Sequence, residues 1–156
     1  FSAIRLNSDG SLDSSFDGDG KLVVPVGTGD DIALGVAALS DGKLVVAGHS
    51  YVSIAGNFDF SLIRLNPDGS LDTTFDGDGK LILPVGTSND FGTSVTVLPD
   101  GKVIVAGNSF DQTTGNNDFS VIRLNSDGSL DITFDGDGKF VVPVGPAPSK
   151  QLAVAP

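Results

Sequence analysis

Cysteine, methionine, tryptophan and glutamate are all missing from this chain of 156 residues. Without Cys there is no disulfide framework and no thiolate chemistry, which leaves the redox compartment open. Without Met, even at position 1, the chain reads as a processed or excised piece of something longer. The missing Glu has a sharper meaning, because all 20 acidic residues are then Asp. Asp bonds nearby backbone and favours turns, whereas Glu favours helices. Eleven of the Asp residues directly precede Gly, as in Asp9-Gly10 and Asp76-Gly77-Asp78-Gly79, so the negative charge is largely turn chemistry. Basic residues are few: nine Lys and Arg against those 20 acids give a net charge of −11. With no basic cluster, a nucleic-acid backbone is excluded as partner. No apolar run approaches the length of a membrane span and no signal peptide is visible, so membrane insertion is not expected.

What is present is a repeat with an offset of 59 residues. Phe1 to Asn7 returns as Phe60 to Asn66 and again as Phe119 to Asn125. Ser40-Asp41-Gly42-Lys43-Leu44-Val45-Val46-Ala47-Gly48 recurs as Pro99-Asp100-Gly101-Lys102-Val103-Ile104-Val105-Ala106-Gly107. Eight of the nine basic residues fall at equivalent positions: Arg5, Arg64, Arg123; Lys21, Lys80, Lys139; Lys43, Lys102. Lys150 alone does not. Fixed periods of this size mark solenoids, propellers or arrays, in which a unit buries its apolar face only against a neighbour.

Each unit reads as four short strands: residues 32–39, 43–48, 60–66 and 80–85 in the complete copy. They are rich in Val, Ile, Leu and Phe, and no helical periodicity is sustained. Asn66-Pro67-Asp68-Gly69, Ser40-Asp41-Gly42 and Pro99-Asp100-Gly101 supply turn chemistry between them. In residues 60–66, Ser61, Ile63 and Leu65 share one face and Phe60, Leu62 and Arg64 the other, so the sheet needs cover on both sides. The expected fold is all-β: a β-propeller-like array of four-stranded antiparallel blades, left open or completed by another copy. The division expected is a half unit at 1–31, full units at 32–90 and 91–149, and the start of a further strand at 150–156.

The segments Val36 to Gly48 and Ile63 to Phe75 resemble the delta-60 repeats of large secreted or surface-associated bacterial proteins. The resemblance covers Phe1 to about Val144. It implies a propeller-like repeat module and brings no catalytic residues.

Several side chains are candidates for chemistry. Closely spaced Asp can supply calcium with hard oxygen ligands, and the candidates are Asp17 and Asp19 with Asp76, Asp78, Asp135 and Asp137. The alternative is that these Asp-Gly pairs only close turns. The spacing around Asn7, Asp9 and Gly10 does not fit a helix–loop–helix calcium loop, since Arg5 and Phe16 fall where ligands belong. Arg5, Arg64 and Arg123 sit mid-strand among apolar residues and need carboxylate partners; Asp13, Asp72 and Asp131 recur with them at a fixed offset. His49 is the lone histidine, with Asn108 as its equivalent, and reads as a polar turn residue. No nucleophile elbow or phosphate loop accompanies it. Residues 50–59 and 109–118 vary between units, and Tyr51, Phe58 and Phe110 are read there as recognition-loop residues.

The functional expectation is a non-enzymatic structural or binding module, extracellular or on the cell surface. It assembles by strand pairing into a homo-oligomer or filament, or with the remainder of a longer chain. The alternatives are a calcium-stabilised adhesion module and a fragment of a propeller hydrolase.

Overall fold

The computed structural model describes residues 1–144, which form ten strands and no helix. The further strand expected at 150–156 lies outside them. Strands β3 (Asp31–Ala38), β4 (Leu44–Val52), β5 (Asn57–Leu65) and β6 (Lys80–Leu83) pair in sequence order as one antiparallel blade. Strands β7 (Asp90–Val97), β8 (Val103–Asp111), β9 (Asn116–Leu124) and β10 (Lys139–Val142) form the next. The chain opens with a half blade, β1 (Ser2–Ile4) paired with β2 (Lys21–Val23), the counterparts of β5 and β6. The array of 2-, 4- and 4-stranded sheets is open, not closed.

Side-chain alternation explains how the blades stack. On β5, Phe60 and Leu62 join Val45, Ala47 and Phe75 of their own blade in one core, closed by Val103, Val105, Ile122 and Leu124 of the third blade. Ile63 and Leu65 point the other way, into a second core with Phe1, Phe16 and Leu22 of the half blade. One blade thus contributes to two cores through alternate residues of the same strand.

Close backbone approach shapes the first strand pair of each blade. The register of β7 on β8 shifts between Gly92 and Ser94, and that of β3 on β4 between Ala33 and Gly35. Opposite these bulges, a Cβ on Gly107 would lie 2.0 Å from the Phe91 carbonyl oxygen, and one on Gly48 1.9 Å from that of Ile32. Only glycine fits.

The strand ends correct one expectation. Residues 50–52 and 57–59 belong to β4 and β5, which continue to a tight turn ending at Gly56, with φ of 73°. Tyr51 pairs directly with Phe58, and Phe110 with Asn117, so all three aromatics are strand residues and not loop residues. The ladder reaches this far because Ser50 and Ser61 are both buried and joined by a 2.7 Å hydroxyl bond, which makes polar residues compatible with strand.

Candidate functional site

Every unit pairs an arginine at the end of its third strand with an aspartate eight residues on, a polar node to which the two complete blades add a lysine. In the central blade, Arg64 Nε donates to Asp72 Oδ2 at 2.6 Å, and Lys43 Nζ donates to the same oxygen at 2.8 Å. The other carboxylate oxygen accepts the Thr74 hydroxyl at 2.7 Å and the Thr74 N–H at 3.1 Å. Arg64 stacks over Phe75 with 4.8 Å from guanidinium carbon to ring centroid, a cation–π contact. Burial alone would raise the Asp72 carboxyl, but the bonds from Lys43 and Thr74 together with the Arg64 charge hold it well below the usual carboxylate range. The third blade repeats this with Arg123, Lys102, Thr133 and Asp131. In the half blade Arg5 pairs with Asp13 at 2.8 Å over Phe16, without a lysine.

The node also joins blade to blade. Arg5 Nη1 donates to the Pro67 carbonyl, and Arg64 Nη1 to the Ser126 carbonyl. Beside them, the N–H of Asp17 reaches the Asp68 carbonyl at 2.7 Å and that of Asp76 the Asp127 carbonyl at 2.8 Å. Asp17, Asp76 and Asp135 hold φ of 50–51°, the left-handed conformation that aims this N–H outward. In the opposite direction, Lys80 Nζ donates to the Pro25 carbonyl at 2.8 Å and Lys139 Nζ to the Pro84 carbonyl at 2.6 Å. Asp31 and Asp90 brace the crossings between blades by accepting backbone N–H groups of Val26 and Gly27, and of Val85 and Gly86.

Between the two complete blades lies a cleft of about 770 Å³. Asp41, Asp100 and Asp127 line it together with Lys43, Arg64 and Thr74. His49 is elsewhere. It lies in β4 against the Phe58 and Phe91 rings, at centroid distances of 5.5 and 4.8 Å, and its Nδ1 is buried without a hydrogen-bond partner. The reading of His49 as a turn residue is therefore corrected: strand pairing with Ile32 and Phe60 and the packing of Phe91 from the next blade bury it. Burial lowers its pKa, against a smaller opposing effect from the Gly92 backbone.

A family model described as a domain of unknown function (DUF5122) beta-propeller matches residues 1–16, 39–75 and 98–134. The chain belongs to this propeller family. Each matched segment ends on the phenylalanine beneath the node arginine: Phe16, Phe75 and Phe134. A search of curated proteins gives no match.

Within this propeller array the turn carboxylates are engaged by backbone. Asp19, Asp78 and Asp137 accept the N–H groups of Lys21, Lys80 and Lys139 at 2.9, 2.8 and 2.8 Å. Burial raises the Asp76 carboxyl, and the charges of Asp78 and Asp127 add to the effect. Among the described residues, no three His, Cys, Asp or Glu side chains gather as a metal site. Sequence reasoning paired Arg with Asp but missed Lys43 and Lys102 as second donors, and missed Asp31 and Asp90. Their recurrence at the 59-residue offset was the available signal.

Proposed function

We propose that this chain is a non-enzymatic structural or binding module of a secreted or cell-surface protein, of the delta-60 kind, that is extended by strand pairing at the free edge of β1. One observation carries the reading. β5 is paired on both sides, by β4 and β6, whereas its counterpart β1 is paired only by β2. Beside the free edge runs a groove of about 280 Å³ lined by Ala3, Ile4, Phe16, Val36 and Val46. Val36 is 65% exposed on it, while its counterpart Val95 packs against the core. An unpaired edge next to an apolar groove is a template for a first-and-second-strand pair like β3–β4. Such a pair comes from another copy or from the rest of a longer chain.

Hydrogen exchange of the β1 amides tests this, in dilute and concentrated solution and with an added peptide spanning residues 31–53. Slower exchange in either condition supports the reading; β1 exchange indifferent to both removes it.

A calcium-stabilised adhesion module is the second reading. What supports it is the Asp76 carboxyl, raised by burial and then by the charges of Asp78 and Asp127, an effect a cation beside it would offset. His49, walled in by two Phe rings and with no carboxylate on Nδ1, lends nothing to a hydrolase.

A further inference from the structure

We propose that the cleft between the two complete blades binds a neutral saccharide, whose hydroxyls span from the Lys43 and Arg64 donors to the carboxylates of Asp41, Asp100 and Asp127. This rests on the module reading above and deepens it by naming the class of ligand. Every residue of the site belongs to the two complete blades.

The cleft has two chemically different surfaces. Its apolar part comes from Leu39, Val97, Leu98 and Pro99, at and just past the ends of β3 and β7. Leu39 and Val97 are only partly buried where they rest on the core, so part of each faces the cleft. Its polar part comes from the exposed turn residues Asp41, Asp100 and Asp127, together with Lys43 and the more deeply set Arg64. The volume of about 770 Å³ falls in the range of ~300–1,000 Å³ usual for small-molecule sites and admits a short oligosaccharide.

The polar groups keep capacity for a ligand. Arg64 directs Nε at Asp72, Nη1 at the Ser126 carbonyl and Nη2 at Thr74 Oγ1, which leaves one N–H on each terminal nitrogen. Lys43 Nζ gives one N–H to Asp72 and has others to offer. Asp41, Asp100 and Asp127 each accept through Oδ1, from the N–H of Lys43 at 3.1 Å, of Lys102 at 3.2 Å and of Ser129 at 3.0 Å. Among the described residues, Oδ2 of each is left as an acceptor. A hydroxyl both accepts and donates, so a sugar takes N–H groups from one set and gives O–H groups to the other. The C–H face of its ring suits the aliphatic wall. Charge selects for neutrality. Lys43 and Arg64 are already compensated at Asp72, so the three turn carboxylates repel an anion. A cation is drawn to those carboxylates but faces the charges of Lys43 and Arg64 and leaves their N–H groups unused. A neutral polyol serves both sets.

Titration of the 156-residue chain with cellotriose, maltotriose, chitotriose and mannotriose, followed by amide chemical shifts, tests this. At least one trisaccharide should bind with a Kd of about 1 mM or tighter and shift the amides of Asp41, Asp100 and Asp127. Asp100→Asn keeps the oxygen that closes the turn but replaces the free acceptor by a donor, and should weaken binding about tenfold. Asp9→Asn makes the same change at the half-blade equivalent of Asp127, outside the cleft, and should leave binding as in the wild type. Circular dichroism checks both folds. Spermidine and inorganic phosphate are the cationic and anionic probes. The proposal is overturned by a failure of all these sugars to bind, by shifts confined to amides outside the cleft, or by an Asp100→Asn affinity equal to wild type. Spermidine or phosphate shifting the cleft amides more than every sugar overturns it too. If no sugar binds while β1 amides gain protection in the exchange experiment, the saccharide site fails and the module reading stands. If a sugar binds in the cleft while β1 exchange stays indifferent, the site stands and extension by strand pairing fails.

Discussion

Arg64 holds Asp72 at 2.6 Å through Nε while its Nη1 donates to the Ser126 carbonyl, 62 residues away in the next blade. One guanidinium thus closes the turn of its own blade and ties it to its neighbour. A planar fork with several fixed donors can do both at once, and a lysine cannot. The side chain is 6% exposed, against 28% for Arg5 in the half blade.

Replacing Arg64 by Met leaves a buried carboxylate with one cation and removes the inter-blade bond, so it should cost about 3 kcal/mol. Arg5→Met, at a half-exposed pair, should cost about 1 kcal/mol or less. Urea unfolding of both variants checks the contrast, and equal losses would show that burial does not set the value of the node.

Acid should weaken the protein through Asp72. Its folded pKa is depressed, so its contribution is present above the ordinary carboxylate range and is lost as pH falls through that range towards the folded value. The urea midpoint, followed from about pH 6 downward, should fall, with a shallower slope in Asp72→Asn.

His49 adds a separate window at higher pH. Burial lowers its pKa in the fold, while the unfolded chain takes up a proton near the ordinary value of about 6.5. Around and below that pH the unfolded state binds more protons, so stability drops as pH falls through the ordinary histidine range. His49→Asn, which installs the residue found at the equivalent position 108, should flatten this part of the profile.

Gly107→Ala should be severe, because the added methyl meets the Phe91 carbonyl oxygen at 2.0 Å, and a backbone atom in a bulge cannot step aside. A loss of about 3 kcal/mol or more is expected. Gly115→Ala, with open space around it but a φ of 72°, should cost only about 1 kcal/mol. Thermal melts of the two variants give the comparison.

Chelator should leave the melting temperature unchanged if the turn carboxylates serve only the backbone, as the 2.8 Å bond from the Lys80 N–H to Asp78 suggests. A melting temperature lowered by chelator and restored by calcium would make the adhesion reading the leading one.

Some of this was open to reading in advance. The turns at Asp68-Gly69 and Asp100-Gly101 follow from residues that take up the needed backbone geometry whatever surrounds them. The two faces of β5 follow from alternation alone, and Phe60 and Ile63 do go to different cores. Tyr51 and Phe58 were misplaced because the polar residues around them carry no strand signal. Their extension depends on a cross-strand hydroxyl pair, Ser50 with Ser61, and on Phe91 arriving from another blade.

By itself the sequence determined the all-β class, the 59-residue unit and the order of strands and turns, because Asp-Gly geometry and β-branched runs act over a few residues. Only the tertiary structure decided that Lys43 shares Asp72 with Arg64, that His49 is sealed between blades, and that Ile4 stays bare while Ile63 is covered. Those outcomes depend on which sheet lies against which, and that contact is set by side chains far apart along the chain.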